Sequence, residues 1–155
     1  MAGQKKGNDM NAPEWNAENK EESLKQWIDM LNAEARRQFL NDGTHLEIFF
    51  LFNDEGIMEI VPIVGMEKDE IVSELKKMLS ERNGYAFIHI AEATAKAMDS
   101  ADEADSLLVH AESREGLSTA LFSTVANKGD EKLLLDAVEI DGAKLDGRFT
   151  HIFEQ

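Results

Sequence analysis

Cysteine is missing from this chain, and its absence excludes disulfides, thiolate metal ligands and a cysteine nucleophile together. Proline is nearly missing, with Pro13 and Pro62 its only examples, so most of the chain is free to form regular structure. Long hydrophobic runs are absent as well. The densest, Ile48-Phe49-Phe50-Leu51-Phe52, falls far short of the roughly 20 residues that cross a bilayer. Met1 to Asn11 carries Lys5 and Lys6 with no apolar segment behind them, which predicts no secretory signal and a cytoplasmic location.

Positive charge is scarce too. Against 31 Asp and Glu stand 16 Lys and Arg, a net charge of −15. Such a field repels phosphate backbones and anionic membranes, so neither nucleic acid nor a membrane is the expected partner. The acids are read as a solvated surface that also selects which proteins approach. The expected partner is another protein, a basic one, or a second copy of this chain.

The phosphate-binding patterns Gly-x-Gly-x-x-Gly and Gly-x-x-x-x-Gly-Lys-[Ser/Thr] are absent, as are the Gly-x-Ser-x-Gly elbow and His-Glu-x-x-His. The catalytic residues therefore stay unknown, and no cofactor and no metal is expected.

What is present describes a folded chain. Its 43% hydrophobic and 30% charged residues separate it from disordered sequences. Residues 1–18 are polar and read as a flexible tail in which Trp15 is the candidate for docking. Residues 19–155 read as a single α+β domain. Asn19 and Glu22 have capping-box spacing, and Leu24, Trp27, Ile28, Leu31, Ala35 and Phe39 recur at helical intervals up to a stop at Gly43. The period then changes to two. Leu46, Ile48, Phe50 and Phe52 share one face of a strand, Asn53 to Gly56 turns, and Ile57 to Ile60 returns to Pro62 as a hairpin. Met66 to Arg82 is the second helix, stopped at Asn83-Gly84. Strands are expected from Tyr85 to about Glu92 with a lean to strand over 91–98, then 106–112, 117–126, 131–140 and 148–153, with an acidic loop at 99–105.

The order α-β-β-α-β-β-β-β-β predicts an antiparallel sheet of about six or seven strands with two helices on one face. Leu24, Ile28, Leu31, Phe50, Phe52, Ile60, Leu75, Leu79, Ile88, Val109, Leu121 and Val138 are the expected core.

Each histidine has an acid close behind it: His45/Glu47, His89/Glu92, His110/Glu112 and His151/Glu154. Residues two apart on a strand share a face, so His45/Glu47 and His110/Glu112 could each offer two metal ligands, but catalytic zinc needs three. The plainer expectation puts His45 and His110 on the solvent face and His89 and His151 among aromatics. The acids of Asp99 to Asp105 lack the spacing of a calcium loop and are read as solvated. Glu92 falls on the face of Ile88 and Ile90, where burial would raise its pKa toward general acid–base work. The plainer expectation is that the strand ends or bulges at Ala91 and frees Glu92 to water. Two functions follow. The favoured one is a non-enzymatic interaction or accessory module acting through protein–protein contact or self-association. The alternative is a small metal-dependent hydrolase using the strand histidines and Glu92.

Overall fold

The computed structural model describes residues 12–96 and 103–141. Helix α1 spans Lys20–Asp42 and helix α2 Lys68–Glu81. The strands are β1 Ile48–Asn53, β2 Gly56–Pro62, β3 Gly84–Lys96, β4 Glu103–Ser113, β5 Ser118–Lys128, β6 Glu131–Leu134 and β7 Val138–Asp141. They form a sheet in the order β2-β1-β3-β4-β5-β6, with β7 also paired to β5. Every pairing is antiparallel. The α+β class and the order of elements agree with the sequence reading.

Helix α1 stops where expected. Gly43 takes the left-handed conformation (φ 77°) that favours glycine, and its N–H bonds to the Phe39 carbonyl at 2.7 Å. Its start differs. The Asn19 side chain makes no capping bond; the Ser23 hydroxyl instead accepts from the Asn16 N–H (2.9 Å) and donates to the Asn19 carbonyl (3.0 Å). Helix α2 begins at Lys68 rather than Met66, with Glu70 accepting from the Glu67 N–H.

The two helices lie on opposite faces of the sheet, not on one. Helix α1 buries Leu24, Ile28, Leu31 and Phe39 with Phe52, Ile88, Ile90 and Val109. Helix α2 buries Ile71, Leu75 and Leu79 with Phe49, Leu51 and Phe87. Alternate residues of β1 and β3 thus serve different cores, as strand geometry requires. Both central strands are apolar on both sides, and two helices are needed to cover them. Two register shifts adjust this pattern: Met58 is the extra residue of β2 and Tyr85 that of β3. The Tyr85 bulge explains why neighbours Tyr85 and Ala86 both join the α1 core.

Other boundaries move. The 131–140 strand is two strands, β6 and β7, which meet different stretches of β5. Residues 91–96 continue β3 as strand. Strand β4 starts at Glu103, so the expected acidic loop loses its last three residues; 97–102 and the strand at 148–153 lie outside the described residues.

Most of the expected core is buried, but Ile60 is 50% and Val138 58% exposed, while Phe50 and Leu121 are half-buried. Ile60 lies on the end strand of the sheet, and β7 pairs with β5 alone. Each such position has neighbours on one side only.

One polar junction joins five segments. Asp54, in the β1–β2 turn, accepts from Lys20 (2.9 Å), Arg114 (2.8 Å) and Asn83, and its carbonyl accepts from the Trp15 indole N–H (2.9 Å). The Lys20 and Arg114 hydrogen bonds hold the Asp54 carboxyl below its usual range. Trp15 stacks on Phe52 at 5.3 Å and meets Tyr85 edge-on at 6.0 Å. The tail segment is thereby packed at Trp15, within the stretch read as flexible.

Candidate functional site

The side of the sheet that carries α1 is unevenly covered. Helix α1 lies over β3 and β4 and reaches β6. A helix is about 10 Å across and strands are about 4.8 Å apart, so one helix shields about two strands. On this side β1 and β2 show Ile48 opposite Pro62 and Phe50 opposite Ile60. Phe50 and Ile48 are half-buried, Ile60 and Pro62 exposed, and Leu46 just before β1 is 47% exposed. The far end of the strip is closed by Trp15, which covers Phe52 and lies 3.4 Å from the position a side chain on Gly56 would take.

An open groove of about 200 Å³ runs between α1 and β1. Its floor is Ile48, Phe50 and Ile90, and its walls include Leu31, Glu34, Gln38, His45 and Leu46. Small-molecule pockets usually measure about 300–1,000 Å³, so this one suits a side chain or two from a larger partner better than a metabolite.

Glu92 is exposed, as the plainer expectation had it, although the strand continues through it, and its pKa moves down rather than up. Its carboxylate accepts from the Thr44 hydroxyl (2.5 Å) and the His45 N–H (3.0 Å). Burial pushes the pKa up; those two bonds, with the Lys132 and His45 charges, outweigh it and leave the pKa below the ordinary carboxylate value. That favours the anion, the opposite of the raised pKa that burial alone would give.

The histidines divide between the faces. His45 is half-buried with Nδ1 2.7 Å from the Leu46 carbonyl, and it does not join Glu47. Glu47 instead meets His89, Oε2 to Nε2 at 2.7 Å, and the His89 ring stacks on Phe49 at 4.1 Å. His89 thus sits against an aromatic, as expected, but its carboxylate partner is not Glu92. Strand alternation puts His89 and Glu92 on opposite faces of β3. His110 stands opposite His89 on β4, and its Nε2 lies 3.2 Å from Glu112. His110 is buried at 2% exposure, not on a solvent face, and meets Phe87 edge-on. The spacing of His110 and Glu112 put them on one face, where they meet; no spacing shows His89–Glu47, which depends on the pairing of β1 with β3.

His151 and Glu154 lie outside the described residues, as do Asp99 to Asp102. Among the described residues no three His, Asp or Glu side chains are grouped to hold a metal ion. No helix among them is long and apolar enough to cross a membrane. Compared with protein-family models, with curated proteins and with solved structures, the chain matches none.

Proposed function

We propose that this protein is a non-enzymatic interaction module, cytoplasmic, whose contact face is the β1–β2 strip beside α1, which no helix among the described residues covers. One observation carries the reading: Leu46, Ile60 and Pro62 are exposed next to half-buried Ile48 and Phe50, a contiguous apolar surface. Contiguous exposed apolar surface marks interaction sites, whereas apolar residues exposed singly are ordinary. The net charge of −15 governs approach, accelerating encounter with basic proteins and opposing acidic ones.

Site-specific photo-crosslinking in cells tests this. A photoreactive side chain at Ile60 is expected to capture a protein, whereas the same group at Glu74, on the exposed side of α2, is expected to capture none. Equal yields at the two positions would sink the proposal.

A further inference from the structure

We infer that the occupant of this face is an amphipathic helix of another protein, apolar on one side and basic on the other. The inference rests on the contact-face reading above and names the partner for it.

The geometry favours a helix over a strand. Helix α1 shields β3 and β4, and the adjacent pair β1–β2 presents the width that one more helix covers. The apolar row from exposed Leu46 to half-buried Phe50 is about 14 Å long, roughly nine residues of helix. Strand addition along β2 is opposed by Pro62. The Ile63 N–H bonds inward to the Glu47 carbonyl, so the ladder alternation turns the backbone of Pro62 outward, where proline has no N–H to offer.

Charge decides between a foreign helix and a second copy. Two copies would bring −15 against −15. Among the described residues that line the groove, Glu34 carries the only carboxylate, and it is ion-paired to Arg37 at 2.7 Å, so the repulsion between copies comes from the net charge of the whole chain. A helix with Leu on its buried face and Lys on its flanks matches both the apolar floor and the net negative charge of the protein.

The probe is a labelled peptide of about 14 residues, near the shortest length that holds a helix in water, with Leu at i, i+3, i+4 and i+7 spacing and Lys elsewhere. A matched peptide carries Glu in place of each Lys. Binding is read by fluorescence anisotropy on the full chain and on the Leu46→Ser/Ile60→Ser variant, whose charge is unchanged. Thermal melting checks that the variant is folded, and Ile60→Ser alone serves as a second variant. The expected result is binding of the Lys peptide at least tenfold weaker to the double variant, with little binding of the Glu peptide. Equal binding to both proteins overturns the inference, because the peptide then senses only the overall charge. A wild-type dimer that the double substitution dissociates also overturns it: the contact face stands, but a second copy occupies it. If neither peptide affinity nor solution mass responds to the substitution, the contact-face reading falls as well.

Discussion

Phe49 and Phe50 are adjacent in β1 and belong to different sides of the molecule. Phe49 is fully buried under α2, stacked on His89 and tilted against Phe87 at 5.9 Å. Phe50 points to the α1 side and floors the groove. Phe49→Ala is therefore expected to cost about 3–5 kcal/mol of stability, the range for a buried aromatic. Ile60→Ala, at an exposed edge position, is expected to stay within about 0.5 kcal/mol. Urea denaturation of the two variants checks the pair. Similar losses would mean that the outer face of β2 is covered.

The elements that local pattern controls were legible in the sequence. The stripe from Leu24 to Phe39, its glycine stop and the Asn53 to Gly56 turn depend on residues close in the chain, and they fold as read. What escaped depends on distant pairing. Alternate residues were assigned to one buried face, although the unbroken Ile48 to Phe52 run already offered apolar side chains to both. That run is the signal for helices on opposite faces. The exposure of Ile60 follows from β2 being the end strand, and sheet order is set by tertiary contacts. Glu92 was placed on its correct face, but its partners Thr44 and His45 arrive from the α1–β1 connection, and no spacing within β3 reveals them.

Trp15 joins the tail to the domain through one hydrogen bond and two ring contacts. It is half-buried. Trp15→Ala is expected to cost about 2–3 kcal/mol, below the range for a fully buried aromatic. Thermal and urea unfolding of the variant measure it. An unchanged stability would show that Phe52 and Tyr85 pack without the indole.

Asp54 supplies a pH-dependent contribution with a definite sign. Its pKa is lowered from the ordinary 3.8, first by the Lys20 hydrogen bond and next by that of Arg114, against a smaller effect of burial. A carboxyl whose folded pKa is depressed stabilises the fold above its unfolded value, and the contribution disappears as pH falls through the folded value. Lys20 is raised by the same bond, so its share is lost only at strongly alkaline pH, above its ordinary 10.5. Wild type is thus expected to be more stable than Asp54→Asn near pH 7, and the two are expected to converge in acid. A difference that persists unchanged to pH 2 would assign the effect of the substitution to something other than ionisation.

His110 and Glu112 decide whether the histidines on the α2 side hold the structure together or perform chemistry. Their side chains are 2% and 8% exposed and 3.2 Å apart, two residues along one face of β4. Replacing one partner leaves the other buried without this bond, a loss of about 1–3 kcal/mol and more if the group is charged. Replacing both with apolar side chains removes both ends of this bond, although replacing Glu112 also breaks a further interaction of its own. The losses of the single variants His110→Leu and Glu112→Leu are therefore expected to sum to more than the loss of the double variant, with a coupling of about 0.5–3 kcal/mol. Urea unfolding of the four proteins closes the cycle. Additive losses would make the two side chains independent neighbours. Stoichiometric zinc or manganese in wild-type protein purified without chelators, absent from His110→Leu, would assign the histidine to metal chemistry and reopen the hydrolase alternative. Strong coupling with no bound metal would establish the pair as a buried structural bond.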